Sequence, residues 1–256
     1  QDNTNQRHIF SSAGLSAYSK SRMCAAYAYA LVEQGDKNAM EGIGQASRLF
    51  ADLNANDIVD RAYTQTIDIL DGSPVPSGHY DVIFDEEVQA SLFGVFTLMF
   101  SGKSAKDGVN PMREKLGESI ADTRLNITDK PLSVDGFGYQ LFDAEGTATQ
   151  STPLIVDGTL NTLIHNSATA SFFDMKTTGH AARGPKSTLG VGLHQLEIAA
   201  GSSSQADLFS GKYLMLTDLT GMHSGANAIS GDFSFGASGF LYEDGQRLQP
   251  VRGITV

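Results

Sequence analysis

Through the first fifty residues, apolar and polar positions alternate with a period near two, as half-buried strands require. Residues 8–12 and 15–20 read as strands separated by the Ala13-Gly14 break, a hairpin pattern. Residues 22–32, dense in Ala and Tyr, are compatible with strand or helix, and a turn at 34–37 follows. The period then changes. Ile58, Val59, Ala62, Tyr63, Ile67 and Leu70 recur at helical spacing, which predicts a helix over 54–70. Asn54 or Asn56 can cap it, because a side-chain oxygen can accept an orphan N–H of the first turn. The Pro/Gly/Ser-rich stretch 72–78 stops it and is the expected domain boundary.

Residues 80–84 read as a short buried strand. A second helix is predicted over 86–100. Asp85 sits at its N-cap, Glu86 and Glu87 lie in its first turn against the helix dipole, and Val88, Leu92, Val95, Phe96 and Met99 form an apolar stripe. From about residue 116 the pattern turns β-rich. Asp157-Gly158 and the 243–246 segment each separate apolar runs and signal hairpins, since a type I′ turn needs φ > 0 at both central residues. A short helix at 167–174 and a strand at 213–219 complete the pattern. The expected fold class is α+β: a partial α/β N-terminal domain over 1–75, then a β-rich, mostly antiparallel domain over 76–256.

Composition narrows the function classes. The chain has 256 residues, 18 Lys+Arg against 29 Asp+Glu, and a formal net charge of −11. That charge repels phosphate backbones and anionic membrane surfaces, so neither nucleic acid nor membrane is an expected partner. No apolar run approaches the roughly 20 residues of a membrane span. The single cysteine, Cys24, can form neither an intrachain disulfide nor a multi-Cys zinc site; it lies in an apolar run and is expected to be a small buried hydrophobe. No signal peptide is evident, and the start at Gln1 suggests a processed product or an excised fragment.

Familiar catalytic patterns are missing. None of His8, His79, His165, His180, His194 and His223 belongs to an H-E-x-x-H pair, and the 86–100 helix carries no histidine. There is no G-x-S-x-G elbow and no P-loop, and Gly190-Val191-Gly192 lacks the third glycine of a dinucleotide fingerprint. His165, His180, His194 and His223 are spread through the β-rich part. They could converge near Asp232, although isolated histidines are the commoner outcome without ligand spacing. Two segments combine clustered Gly with Asp, Ser and His: 157–181, ending in TGHA, and 230–251, opening with SGDFSFGASGF. Tight structural turns account for both, and interface or peptide-binding loops are the functional alternative.

Those two segments, together with YDVIFDEEVQASLFGVF, SGKSAKDG, NITDKP, FDAEGTATQSTPLIVDG and RHIFSSAGLSAYSKSR, resemble the TldD/PmbA (TldD/TldE) family, once described as modulators of DNA gyrase. The likeness covers nearly the whole chain and implies that family members extend beyond both of its ends. It also implies two kinds of subunit. The TldD type carries H-E-x-x-x-H on a central helix, where two imidazoles hold zinc and the Glu polarises the attacking water. The PmbA/TldE type lacks the motif. Here the matching helix bears Asp85, Glu86 and Glu87 but no imidazole, so the chain resembles the PmbA/TldE type.

The resemblance therefore implies a cytoplasmic, non-catalytic subunit with no cofactor of its own. Its partner would be a zinc-bearing TldD-type subunit in a heterodimer, or a second copy in a homodimer. Its substrate would be an unfolded or a small, microcin-type peptide. No catalytic or metal-ligating residue is expected in the chain. His180, Arg183 and Asp232 are the candidate contacts to substrate or partner, with a structural turn role as the alternative. Two other functions stay open: an autonomous hydrolase built on the four C-terminal-half histidines, and a gyrase-associated regulator.

Overall fold

The computed structural model describes residues 1–184 and 186–256. It opens with β1 (Asp2–Phe10), β2 (Ser16–Gln34) and β3 (Lys37–Ser47), followed by α1 (Ala55–Leu70). The three strands form one antiparallel sheet in the order β1-β2-β3, with Asp2 opposite Cys24 and Cys24 opposite Ser47. Residues 22–32, open between strand and helix by sequence, are strand, paired on both sides. Ala26, Ala28, Ala30 and Val32 turn to one face, and their small side chains let α1 pack closely. Tyr27, Tyr29 and Leu31 turn to the other face and are exposed.

Asn54 caps α1 by accepting the Asp57 N–H at 3.1 Å. The buried stripe of the helix is Ile58, Ala62, Thr66, Ile69 and Leu70. Val59, Tyr63 and Ile67, assigned to the inner face by spacing, are exposed. The stripe is displaced because Thr66 serves as a core residue: its hydroxyl donates to the carbonyl oxygens of Ala62 (2.7 Å) and Ala30 (3.2 Å), so burial leaves it satisfied.

After the irregular 72–80 segment come β4 (Asp81–Phe84) and α2 (Glu86–Val95), with Asp85 accepting the Glu87 N–H at its N-cap. The helix stops at Val95 instead of running to 100. Gly94 weakens it, the Thr97 hydroxyl donates to the Gly94 carbonyl, and residues Thr97–Phe100 form a 3-10 turn that drops Phe100 into a core. The chain continues through α3 (Gly102–Lys106), β5 (Ile127–Asp129), β6 (Thr152–Val156), β7 (Thr159–Leu160), α4 (Ser167–Phe172), β8 (Ala181–Ala182), β9 (Gly190–Val191), β10 (Leu196–Ile198) and α5 (Gln205–Leu208). It closes with β11 (Lys212–Thr220), β12 (Gly236–Glu243) and β13 (Gln246–Thr255).

The last three strands and β4 make a sheet in the order β13-β12-β11-β4, with β4 parallel to β11. As an edge strand β4 is half-exposed, not buried as its apolar run suggested, because only one side and one face have neighbours. Leu214, Leu216, Phe235, Leu241 and Val251 build the core over this sheet, joined by Val88 and Leu92 of α2. Phe93 and Met99 turn instead to a second core of Phe100, Ile127, Leu154, Leu160, Leu163 and Ile164. That core lies under a small sheet ordered β10-β5-β6-β7. Both predicted hairpins are present: Asp157 and Gly158 have φ of 47° and 74°, and Asp244 and Gly245 have 49° and 76°.

Mostly antiparallel sheets with a minority of helix make the fold α+β, as expected. Among the described residues no helix is long and apolar enough to cross a membrane.

Candidate functional site

Two places gather polar chemistry. The first is a cleft of about 410 Å³ between the three-stranded sheet and α2. Tyr29, Met40 and Glu41 come from the sheet, Asp85, Glu87, Val88 and Ser91 from the start of α2, and Thr217 and Asp218 from β11. Four carboxylates therefore face one cleft. Burial, with the Asp218 charge adding to it, pushes the Glu41 carboxyl up, against the pull of Arg252. Burial does the same to Asp218. α2 offers no imidazole to this cleft.

The second place is wholly inside the loop-built region, the part of the chain from β5 to β10 where strands are short. β5 ends on Asp129, which is fully buried. Its Oδ1 accepts the main-chain N–H groups of His194 (3.0 Å) and Gln195 (2.7 Å). Its Oδ2 meets His180 Nε2 and His194 Nδ1, each at 2.9 Å. On the far side of its ring, His180 Nδ1 lies 2.9 Å from the Thr178 carbonyl oxygen. Burial alone would raise the Asp129 carboxyl. The close contacts with His180, His194 and the Gln195 N–H outweigh it and hold the group well below the usual carboxylate range.

Asp143, also fully buried, works in parallel. Its Oδ1 accepts from Glu145 N and Thr147 N, and its Oδ2 accepts from Ala181 N at 3.0 Å. Two buried aspartates thus pin the segment around His180 from both sides. His165 packs beside it against Phe173, and its main-chain oxygen accepts from the His180 N–H at 3.3 Å. Burial first, and the proximity of His180 second, push the His165 imidazole below its ordinary value. Its Nε2 is buried and has no hydrogen-bond partner among the described residues.

Of the three candidate contacts, His180, Arg183 and Asp232, only His180 joins this cluster, and it is fully buried. Arg183 and Asp232 are exposed and belong to neither place. The suggested convergence of four histidines near Asp232 does not form. His180 and His194 meet at Asp129, His165 packs alongside, and His223 is exposed. Asp129 was missed because 51 residues separate it from His180 and 65 from His194, so no local spacing signals the contact. Within NITDKP it follows Asn126, Ile127 and Thr128, a segment with no catalytic or ligand pattern of its own. Cys24 is buried, as expected, and burial pushes its thiol up and away from reactivity.

With this geometry in place, likeness to known proteins is informative. Residues 77–256 match the PmbA/TldA metallopeptidase C-terminal domain, and residues 1–70 match the PmbA/TldA metallopeptidase central domain. A metalloprotease PmbA of Escherichia coli is 33% identical over 177 residues, covering 68% of this chain and 37% of that protein. A metalloprotease of Methanothermobacter thermautotrophicus is 30% identical over 225 residues, covering 81% of this chain and 46% of the relative. The chain thus spans less than half the length of either. Among solved structures, a Thermotoga maritima protein described as a modulator of DNA gyrase superposes with a TM-score of 0.91 at 28% identity, over 99% of this chain and 58% of its own. TldE from Thermococcus kodakarensis shares the fold, with a TM-score of 0.86 at 23% identity over 98% of this chain and 57% of its own.

Proposed function

This chain belongs to the PmbA/TldD metallopeptidase family, and from that premise we propose that it is a PmbA/TldE-type subunit that shapes the peptide chamber while a TldD-type partner supplies the catalytic zinc. The observation that supports this most directly is the chemistry of the α2 cleft. Catalytic zinc sites are built from imidazole, thiolate and carboxylate, with one position left for water. Here the donors are Glu41, Asp85, Glu87 and Asp218 alone, an all-oxygen set that suits hard cations better than zinc. Burial also favours the protonated form of two of the four, Glu41 and Asp218. These residues do not fit a peptidase zinc, and no hydrolytic step is assigned to them. Asp129, His180 and His194 do not line this cleft.

What the chain can supply is binding. An acidic cleft favours the positively charged groups of a peptide, its N-terminal amine or its Lys and Arg side chains. Exposed strand edges such as β4 can take up an extended peptide by main-chain pairing, which accepts many sequences. That suits a cytoplasmic assembly handling unfolded or small peptides. The net charge of −11 opposes contact with a DNA backbone, so a gyrase-directed role would run through protein surfaces.

The test is reconstitution. Peptide turnover is expected from a mixture of this chain with a TldD-type subunit, and none from this chain alone. Turnover by the isolated chain that a chelator abolishes would overturn the proposal.

A further inference from the structure

We propose that Asp129, His180 and His194 form a buried divalent-metal site of the zinc type that fastens the loop-built region, separate from any peptidase centre. Three ligand atoms from three remote segments, His180 Nε2, His194 Nδ1 and an Asp129 carboxylate oxygen, lie within 4.8 Å of one another. Two imidazoles and one carboxylate are a donor set that zinc favours over calcium or magnesium.

The hydrogen-bond inventory strengthens the case. His180 Nδ1 lies 2.9 Å from both oxygens of Thr178; the carbonyl can only accept, and the hydroxyl gives its proton to the His165 carbonyl oxygen at 3.1 Å, so Nδ1 carries a proton. In the neutral ring Nε2 then holds a lone pair, and it points at Asp129 Oδ2, itself an acceptor, 2.9 Å away. Two acceptors at that distance need a cation between them. Donation from Nδ1 to a main-chain carbonyl is the outer-shell arrangement that fixes a metal-binding histidine in the tautomer presenting Nε2.

The carboxylate is prepared in the same way. Asp129 Oδ1 is occupied by the N–H groups of His194 and Gln195, which leaves Oδ2 as the oxygen facing both imidazoles. A single proton bridges only one such pair, whereas a metal ion is shared by two imidazoles and a carboxylate. The second, His194, converges on the same oxygen with its ring centroid 4.7 Å from that of His180. With metal bound, His194 ligates through Nδ1 and carries its proton on Nε2. Its side chain is 5% exposed against 0% for the other two, so water reaches the cluster from the His194 side.

The location gives the ion a role. Asp129 ends β5, His180 precedes β8 and His194 follows β9, all strands of two or three residues with few ladder bonds of their own. A ligand that binds only the folded state stabilises it by mass action, and at a hundredfold excess over Kd this raises Tm by roughly 5–10 °C for a chain of this size.

The experiment measures zinc in the purified chain by elemental analysis, strips it with a chelator, and adds back Zn²⁺ or Co²⁺. About one equivalent of zinc per chain is expected, with Tm falling on stripping and recovering with Zn²⁺. Co²⁺ should give the intense visible d–d absorption of a tetrahedral nitrogen/oxygen site. His194→Ala and His180→Gln should each abolish the Co²⁺ band, while His223→Ala, which alters an exposed histidine outside the cluster, should keep it. If either ligand variant fails to fold, the wild-type Co²⁺ spectrum and the Zn²⁺-dependent Tm decide the matter. A chain that neither retains metal nor gains Tm with Zn²⁺ overturns the proposal and makes the cluster a protonated hydrogen-bond network. Metal that survives both ligand variants also overturns it. Because these readouts involve no turnover, they leave the partner-subunit proposal untouched.

Discussion

Between residues 2 and 47 the chain folds on main-chain ladders, with β2 alone running 19 residues and pairing along both edges. Between residues 97 and 200 the strands are two to five residues long. There, side-chain carboxylates do much of what ladders do elsewhere. In the first region the inward side chains are mostly small and apolar, and α1 covers them. In the second, Asp129 and Asp143 accept five main-chain N–H bonds between them, from His194, Gln195, Glu145, Thr147 and Ala181. The contrast teaches where specificity resides. A ladder repeats, and tolerates change at most single positions. A buried carboxylate concentrates many bonds in one side chain, so one substitution unties several segments.

The sharpest way to break that contrast is Asp129→Ala. It removes the carboxylate that two imidazoles and two main-chain N–H groups face in the interior, and the expected loss is about 3–5 kcal/mol in chemical denaturation. Hydrogen exchange should rise first at residues 178–196 and leave β2 protected. Ile43→Ala is the counterpart in the sheet-built part. Ile43 on β3 is buried, and the cavity left is expected to cost about 2–5 kcal/mol, with exchange rising across β2 and β3. If both variants loosened the whole molecule equally, the two regions would be one cooperative unit and the comparison would fail.

Asn54→Ala probes the N-terminal region without touching its core. Losing the cap bond to Asp57 N should cost about 1 kcal/mol and fray only the first turn of α1. Glu41→Gln is the smallest effect and has the opposite sign. The folded-state pKa of Glu41 lies above its ordinary 4.5, because burial, and then the Asp218 charge, disfavour the carboxylate. A raised carboxyl pKa means that stability falls as pH rises through 4.5 towards the folded value. The variant should therefore be more stable than wild type at pH 7, with the gain vanishing below pH 4.5, as urea titrations at several pH values would show.

Much of the fold was legible because its signals are local. The hairpin at Asp157-Gly158 and the one at Asp244-Gly245 follow from residue types that tolerate φ > 0. Asn54 and Asp85 cap the helices their positions suggested. The inner face of α1 was misjudged because Thr66 reads as polar, while the structure pairs its hydroxyl with two carbonyls and buries it. The candidate site was legible only in part. His180 and His194 stood out as histidines, but their meeting point, Asp129, lies 51 and 65 residues away, and only tertiary structure joins them. The acidic cleft was invisible for the same reason, since Glu41, Glu87 and Asp218 come from three separate elements.

The central claim is that this chain contributes binding surface, and no catalytic zinc, to a peptidase completed by another subunit. The most direct measurement compares hydrolysis of an unfolded model peptide by the purified chain, by a TldD-type subunit, and by the two together. The account predicts no turnover from this chain alone and chelator-sensitive turnover from the mixture. Chelator-sensitive turnover by this chain alone would contradict it.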